Sequence, residues 1–597
     1  MLKQYQSHKI VFISFLASVI LVFFYVRPLN SPFSPIISGD GFGYYAYLPA
    51  KYIYNDTDLK FDWFNEVYGK HYLTKFERAD DNFLVVYKGK KINKYYPGLS
   101  MLWLPFFKTA HLLAEPLGYK ADGFSFPYQA AIALASLIYL LIGLFYLRKL
   151  LLLVEPQQYW LSALIPIFLF YGSWLYKYAT VFNSLTHVYS FSIITLFIYH
   201  ALKFILKEKE FHVLIYSVLF LVIAVSIRPL NLISAFVIVP FIKSDYLKIK
   251  TVFRNFQIKH ISALLLILLF FYNHFNTQFT QTNSFFADSY SNERFYLSNP
   301  KLLEVLFSFN AGLFIYCPLF IFVILFLLNK GKRKTGLFLI LFLLGIIYLY
   351  ASWWYWPITT RALIDYYSVF SILILYGVVE LSKRIQLFTL FVSLIFAAHF
   401  QLKNYQLSHE ILDGNLTYFE LFKKNYFQIK KVNQYVVPPQ TILDSVAFLE
   451  NLESYPPTLK VTNPYSGKVS GLLDSVINFT KALHFQPPLF LKKSGIKKVR
   501  ISFMGNFKDS AQFAQLYLYL YDKENKEVSA YPFYINDAVV ANSWTLYEFG
   551  HEFTEEELLK TDHITWFIWK NGGLGEIWFD DLKTEFLLCD KSYEIVK

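Results

Sequence analysis

Ile10-Val-Phe-Ile-Ser-Phe-Leu-Ala-Ser-Val-Ile-Leu-Val-Phe-Phe-Tyr-Val26 runs seventeen residues without a charge, between Lys9 and Arg27. That is enough apolar chain to cross a bilayer core as a helix. The run has the look of a signal peptide, but Arg27-Pro-Leu-Asn30 follows it instead of a small-residue cleavage site. We therefore read an uncleaved first span. Similar runs recur near 124–147, 158–175, 184–206, 211–227, 230–243, 259–275, 309–329, 336–351, 363–382 and 386–402. The expected class is a polytopic α-helical membrane protein of about eleven spans. The segment 99–114 is apolar but short and broken by Pro105, and reads as a re-entrant or interfacial helix.

Composition agrees. Of 597 residues, 55% are hydrophobic, 20% aromatic and 17% charged, too few charges for a soluble chain of this length. The net charge of +13 reads as membrane topology, because no basic stripe or RNA-binding motif supports a nucleic-acid partner. Arg148 and Lys149, Lys203 to Lys209, Lys243 to Lys259, Lys330 to Lys334, and Lys383 with Arg384 fall in alternate loops, on the side of Lys3 and Lys9. That places the N-terminus in the cytoplasm and residues 28–98, 276–308, 352–362 and everything after about 403 outside. Cys317 and Cys589 suggest neither a disulfide framework nor a zinc site.

Three parts are expected: a membrane domain over 1–410 with a first outer loop at 28–98, a helical linker over 411–440 containing Val436-Val-Pro-Pro-Gln440, and a β-sandwich over 441–597. The strands Val499–Phe503, Gln515–Tyr521, Trp544–Phe549, Ile564–Trp569 and Glu576–Leu587 alternate polar and apolar residues between Gly, Asn and Asp turns.

The residues that could carry chemistry all fall toward the outer side. Asp40, in Ser38-Gly-Asp-Gly-Phe-Gly-Tyr-Tyr-Ala-Tyr-Leu-Pro49, is an acid near the membrane with flanking glycines that leave room for a ligand. It is a candidate catalytic or metal-binding carboxylate, or a helix cap. Tyr44 follows it. Arg361, in Trp353-Trp-Tyr-Trp-Pro-Ile-Thr-Thr-Arg361, is a candidate phosphate fork, with Asp365 one turn on to orient it. Arg228 stands at a Pro-broken junction in Ser226-Ile-Arg-Pro229. His187 and Lys94 complete the substrate-binding candidates, His187 being equally readable as a packed hydrogen-bonder. Asp288 and Glu293 could join Asp40 around a divalent metal, though loop acids are commonly just solvated. No Walker loop, HExxH, GxSxG elbow or dinucleotide fingerprint occurs.

These residues, in this order, resemble the GT-C-fold membrane glycosyltransferases, nearest to the protein mannosyltransferase and aminoarabinose-transferase-like branch and its bacterial relatives. The likeness runs over about residues 10–400 through Asp40, Tyr96-Pro-Gly98, Arg228-Pro229, Ser308-Phe-Asn-Ala-Gly312 and Trp354 to Asp365. It implies transfer of a sugar from a polyprenyl-phosphate-linked donor to a glycan, lipid or protein acceptor, outside the bacterial cytoplasmic membrane, with Asp40 at the catalytic acid's position. The family's frequent Asp-Glu pair reads Asp40-Gly41 here. The C-terminal domain resembles a carbohydrate-binding jelly roll, in which a late acidic pair, here Asp580 and Asp581, often belongs to a structural calcium site.

Two other classes fit the same chain. One is a polymerase, ligase or transporter of lipid-linked glycans, although no internal repeat of the transporter kind is visible. The other is a non-catalytic membrane scaffold whose β-domain recruits partners, for which Asp40 and Arg361 would be dispensable.

Overall fold

The computed structural model describes residues 2–26, 36–64, 66–67, 83–207, 210–242, 260–286, 289–290, 295–309, 311–353, 356–409, 411–412, 422–423, 425–429, 442–449, 460–461, 470–473, 480, 482–488, 491, 496–507, 514–535, 543–570 and 576–589. Asp288, Glu293 and the linker segment 436–440 lie outside these residues, as does most of the expected helix 411–430. The chain divides into two compact units, 1–61 with 83–432 and 62–82 with 433–597.

The first unit is helical. Among the described residues, seven helices are long and apolar enough to cross a membrane: Ser7–Val26, Phe126–Val154, His187–Leu206, Ile261–Thr282, Arg333–Ala351, Thr360–Val379 and Lys383–Ser408. Tyr159–Tyr171 and Trp174–Thr180 form an eighth if counted together, bent by 67°. The bend falls at Gly172-Ser173, where the Ser173 hydroxyl caps the second helix by accepting from Leu175 N. The remaining three expected spans correspond to shorter apolar helices, Phe211–Ile227, Pro229–Phe241 and Pro318–Leu328. The last two are 3₁₀ helices.

Short elements sit between the first two long helices. They are the helices α1 (Asp40–Tyr45) and α2 (Tyr47–Tyr52), the hairpin of β1 (Leu84–Tyr87) with β2 (Lys90–Asn93), and α3 (Gly98–Ala114). An aromatic cluster ties them to the long helices. Tyr45 packs on Trp103, Phe107 and Phe124, and Trp103 packs edge-on against Tyr189. Tyr45 and Trp103 are both fully buried. Rings of this size bring large buried area with fixed geometry, which suits them to holding a loop on a helix bundle.

Among its described residues the second unit forms two antiparallel sheets and a short helix, Glu555–Lys560. All five expected strands occur, in β7 (Ile496–Phe507), β8 (Ala514–Tyr521), β10 (Trp544–Phe553), β11 (His563–Lys570) and β12 (Ile577–Cys589), the last starting one residue later than the expected Glu576. Five more accompany them: β3 (Ile442–Leu449), β4 (Lys460–Val461), β5 (Ser470–Leu473), β6 (Leu483–Phe485) and β9 (Glu527–Tyr534). One sheet runs β10-β7-β12-β5-β4, with β3 also on β12; the other runs β6-β11-β8-β9. The strand Gln515-Leu-Tyr-Leu-Tyr-Leu-Tyr521 shows why: Leu516, Leu518 and Leu520 are fully buried, while Tyr517, Tyr519 and Tyr521 stack in a row on the opposite face. The leucines share one core with Phe503, Phe579 and Phe586 of the other sheet, and Trp566 Nε1 donates across to Thr584 Oγ1 at 2.8 Å.

Asp580 and Asp581 sit on β12, where its pairing with β7 shifts register between Asp580 and Lys583. Asp581 has φ of 50°, and its backbone N–H donates to Asp580 Oδ1 at 2.9 Å. The acidic pair thus lies at a bulge-like break in the ladder. Among the described residues no group of three or more His, Cys, Asp or Glu side chains gathers to hold a metal.

Candidate active site

Local sequence sets each polar residue in place. Gly39 takes φ of 54°, a left-handed conformation that glycine adopts without strain, and starts α1 with Asp40 as its first residue. Pro229 disfavours helix at the residue before it, so Phe211–Ile227 stops and Arg228 becomes extended, with φ of −148° and ψ of 118°. Buried Asn93, at the end of β2, ties the hairpin to α1. Its amide donates to Gly43 O at 2.7 Å, its side-chain oxygen accepts from Tyr95 N at 3.0 Å, and its own N–H donates to Gln281 Oε1 at 2.7 Å. Tyr95 is thereby set over Asp40.

The acids and arginines then pair crosswise. Arg361 Nη2 donates to Asp40 Oδ2 at 2.7 Å, and the Tyr95 hydroxyl donates to Asp40 Oδ1 at 2.8 Å. The Tyr178 hydroxyl also lies against Arg361. Asp365, expected to brace Arg361 one turn away, faces other partners. Its Oδ1 lies 3.0 Å from His187 Nδ1 and its Oδ2 accepts from Arg228 Nη1 at 3.2 Å. A carboxylate only accepts, so Nδ1 of His187 carries the proton in this bond. Asp365 therefore orients His187 and Arg228, and Arg361 is left to Asp40.

The two acids differ in access, while Arg228, at 25% exposed, is as open as Arg361. Asp365 is 0% exposed, whereas Asp40 keeps 35% of its side-chain surface and Arg361 23%. Burial by itself would raise the Asp40 carboxyl; Arg361, the Tyr95 hydroxyl, Lys94 and His187 together outweigh it and hold the group below the usual carboxylate range. Burial and the Asp40 charge push Tyr95 well up, so it remains a hydrogen-bond donor. Tyr44 is pushed up chiefly by burial, with Arg228 and Arg361 pulling against it. Lys94 Nζ lies 5.3 Å from the Tyr95 ring centre and 5.8 Å from that of Tyr290. Arg228 lies 5.9 Å from the Tyr350 ring centre.

The structure thus gathers Asp40, Tyr44, Lys94, His187, Arg228, Arg361 and Asp365 in one polar cluster. Asp40 does not act as a side-chain cap for α1; its oxygens go to Arg361 and Tyr95. Gly41 and Gly43 serve protein packing, whereas a Cβ on Gly39 would meet nothing within 4 Å. A Cβ on Gly41 would overlap the Ser184 hydroxyl and one on Gly43 the Tyr95 ring. Sequence reading passed over Asn93, Gln281 and Tyr178. The two amides carry a weak signal, as polar residues beside apolar runs, while Tyr178 carries none in so aromatic a chain.

No family model matches the chain, and no curated protein matches it. Solved structures similar to it include the enzymatically active domain of tailspike protein 4 of bacteriophage CBA120, at 11% identity over 24% of this chain and 18% of that one, with a TM-score of 0.16. Infectious bursal disease virus strain Gx matches at 11% identity over 26% of this chain and 34% of that one, with a TM-score of 0.18. The chain spans well under half of either structure's length, and at these TM-scores neither bears on its fold or function.

Proposed function

We propose that the protein is a membrane glycosyltransferase of the GT-C type. It moves a sugar from a polyprenyl-phosphate-linked donor to a glycan, lipid or protein acceptor on the outer face of a bacterial cytoplasmic membrane. The observation that carries this reading is one partly open carboxylate, Asp40, held in the same cluster as two guanidiniums, Arg361 and Arg228. In the reaction, an acceptor hydroxyl oxygen attacks the anomeric carbon and its proton passes to Asp40. The bond from that carbon to the phosphate oxygen breaks, and its electron pair leaves on the phosphate. Arg361 and Arg228 meet the charge that develops there, and a planar fork suits phosphate better than a point charge. Tyr44 and Lys94 supply further donors, and His187 helps fix the geometry through Asp365. In this reading the three shorter apolar helices complete about eleven crossings, and the two sheets form a jelly-roll-like module that holds glycan.

The test is sugar transfer from polyprenyl-phosphate donors by the purified protein in lipid, wild type against Asp40→Asn. Transfer that vanishes in a folded variant supports the reading. Transfer that survives removes Asp40 as the base, and no transfer from any such donor favours a transporter or scaffold.

A further inference from the structure

One acid in the cluster is closed and the other is open. Asp365 is fully buried and both its oxygens are taken, by His187 and Arg228. Asp40 and Arg361 touch through a single nitrogen and a single oxygen, and both side chains keep part of their surface. A guanidinium has five N–H donors, and this contact uses one. A phosphate oxyanion offers it more charge and a two-pronged fit, so it competes well for the same group.

We propose that the Asp40–Arg361 bond is an internal stand-in for the donor. On donor binding, Arg361 exchanges the Asp40 carboxylate for the donor's phosphate, and Asp40 is released to take the acceptor's proton. Asp365 does not take part in the exchange, because it is fully buried and both its oxygens are already taken. The inference rests on the phosphate-linked-donor reading above. It adds an order of events: the base becomes competent after the leaving group is gripped. In the unliganded site the groups acting on Asp40 are Arg361 and His187 from the long helices, Tyr178 from Trp174–Thr180, Tyr95 and Lys94 from the segment after β2, and Tyr44 from its own helix. Of these, Arg361 is the charged group in direct contact with it. Removing an opposite charge at this range raises a carboxyl by about one to three units.

The experiment follows the Asp40 carboxylate band, identified by its loss in Asp40→Asn, through a pH titration by infrared difference spectroscopy. The protein sits in phosphatidylcholine nanodiscs, with or without a polyprenyl phosphate, whose binding is measured separately with a radiolabel. The expected result is a midpoint that rises by about one unit or more on binding. Arg361→Gln should show the raised midpoint without ligand and no further response. Should that variant fail to fold, Arg361→Lys, which keeps the charge and loses the fork, should give a smaller rise. Inorganic phosphate at the same concentration separates the phosphoryl group from its lipid, and a rise with the lipid alone or with both upholds the exchange. Polyprenyl phosphate that binds without moving the midpoint overturns the exchange and leaves the donor reading standing. Absence of polyprenyl phosphate binding overturns both.

Discussion

Asp40 and Arg361 stand 321 residues apart in the chain, yet their side chains meet at 2.7 Å. Asp365, four residues from Arg361, turns instead to Arg228 at 3.2 Å. The segment after the first long helix is thus clasped to the start of a late apolar helix, while that helix is clasped through Asp365 to His187 and Arg228.

The two acids should separate in their mutants. Asp365→Asn removes a fully buried charge and leaves Arg228 and His187 without their counterpart, a loss of about 3 kcal/mol. Asp40→Asn leaves a group that water can reach and should cost far less. Thermal unfolding in detergent reads both; equal losses would show that the two pairs do the same structural work.

On the proposed reading the order inverts for turnover. Asp40→Asn should lower transfer by about 10² to 10⁴-fold, the usual contribution of a general base. Tyr95→Phe, which removes the hydroxyl bound to Asp40 Oδ1, should lower it less. A Tyr95→Phe variant slower than Asp40→Asn would move the proton-handling role to the tyrosine.

Gly41→Ala should destabilise the protein by about 1–3 kcal/mol, because its methyl overlaps the Ser184 hydroxyl. Ser184→Gly in the same chain should recover much of that. Gly43→Ala strikes the Tyr95 ring and has no such partner to trim. Lack of recovery in the double variant would mean that the clash is not what Gly41 avoids.

In the β-unit, Glu557 caps its helix through Thr554, accepts from the Tyr531 hydroxyl and lies 3.5 Å from His551. Burial would raise its carboxyl, but these partners hold it at about 2. A carboxyl depressed on folding adds stability that is present above its unfolded value near 4.3 and fades as pH falls toward 2. Scanning calorimetry of the whole chain should show Glu557→Gln weaker than wild type at pH 7, with the gap closing below about pH 4. A gap constant across that range would remove Glu557 as the cause.

Much of the fold could be read because it depends on local pattern. The alternation of Leu516, Leu518 and Leu520 with Tyr517, Tyr519 and Tyr521 is visible in the strand itself, and charge-free runs such as Ile10–Val26 announce their helices. The candidate residues were visible too, since charges are costly next to apolar chain. Their pairing was not. Spacing four along one segment suggested Arg361 with Asp365, and nothing local could say that Asp40 would be nearer. Gly41 beside Asp40 pointed to an open approach, but whether a ligand or Ser184 fills that space is decided by a turn more than a hundred residues away.

The 3₁₀ helices carry one further consequence. In Pro318–Leu328, and on to Asn329, Phe320, Val323, Phe326 and Asn329 are buried at a step of three, with Leu319 buried beside them and Ile321, Ile324 and Leu327 exposed between. In Pro229–Phe241, Asn231, Ser234 and Val237 repeat the step. Three residues per turn stack side chains straight along the axis, and each residue advances about 2.0 Å instead of about 1.5 Å. The thirteen residues of Pro229–Phe241 then reach roughly 26 Å, most of a hydrocarbon layer that an α-helix of equal length would leave about one-third uncrossed. A segment of this kind covers a given distance with fewer residues than an α-helix, and its exposed side chains form a straight ridge instead of a spiral one.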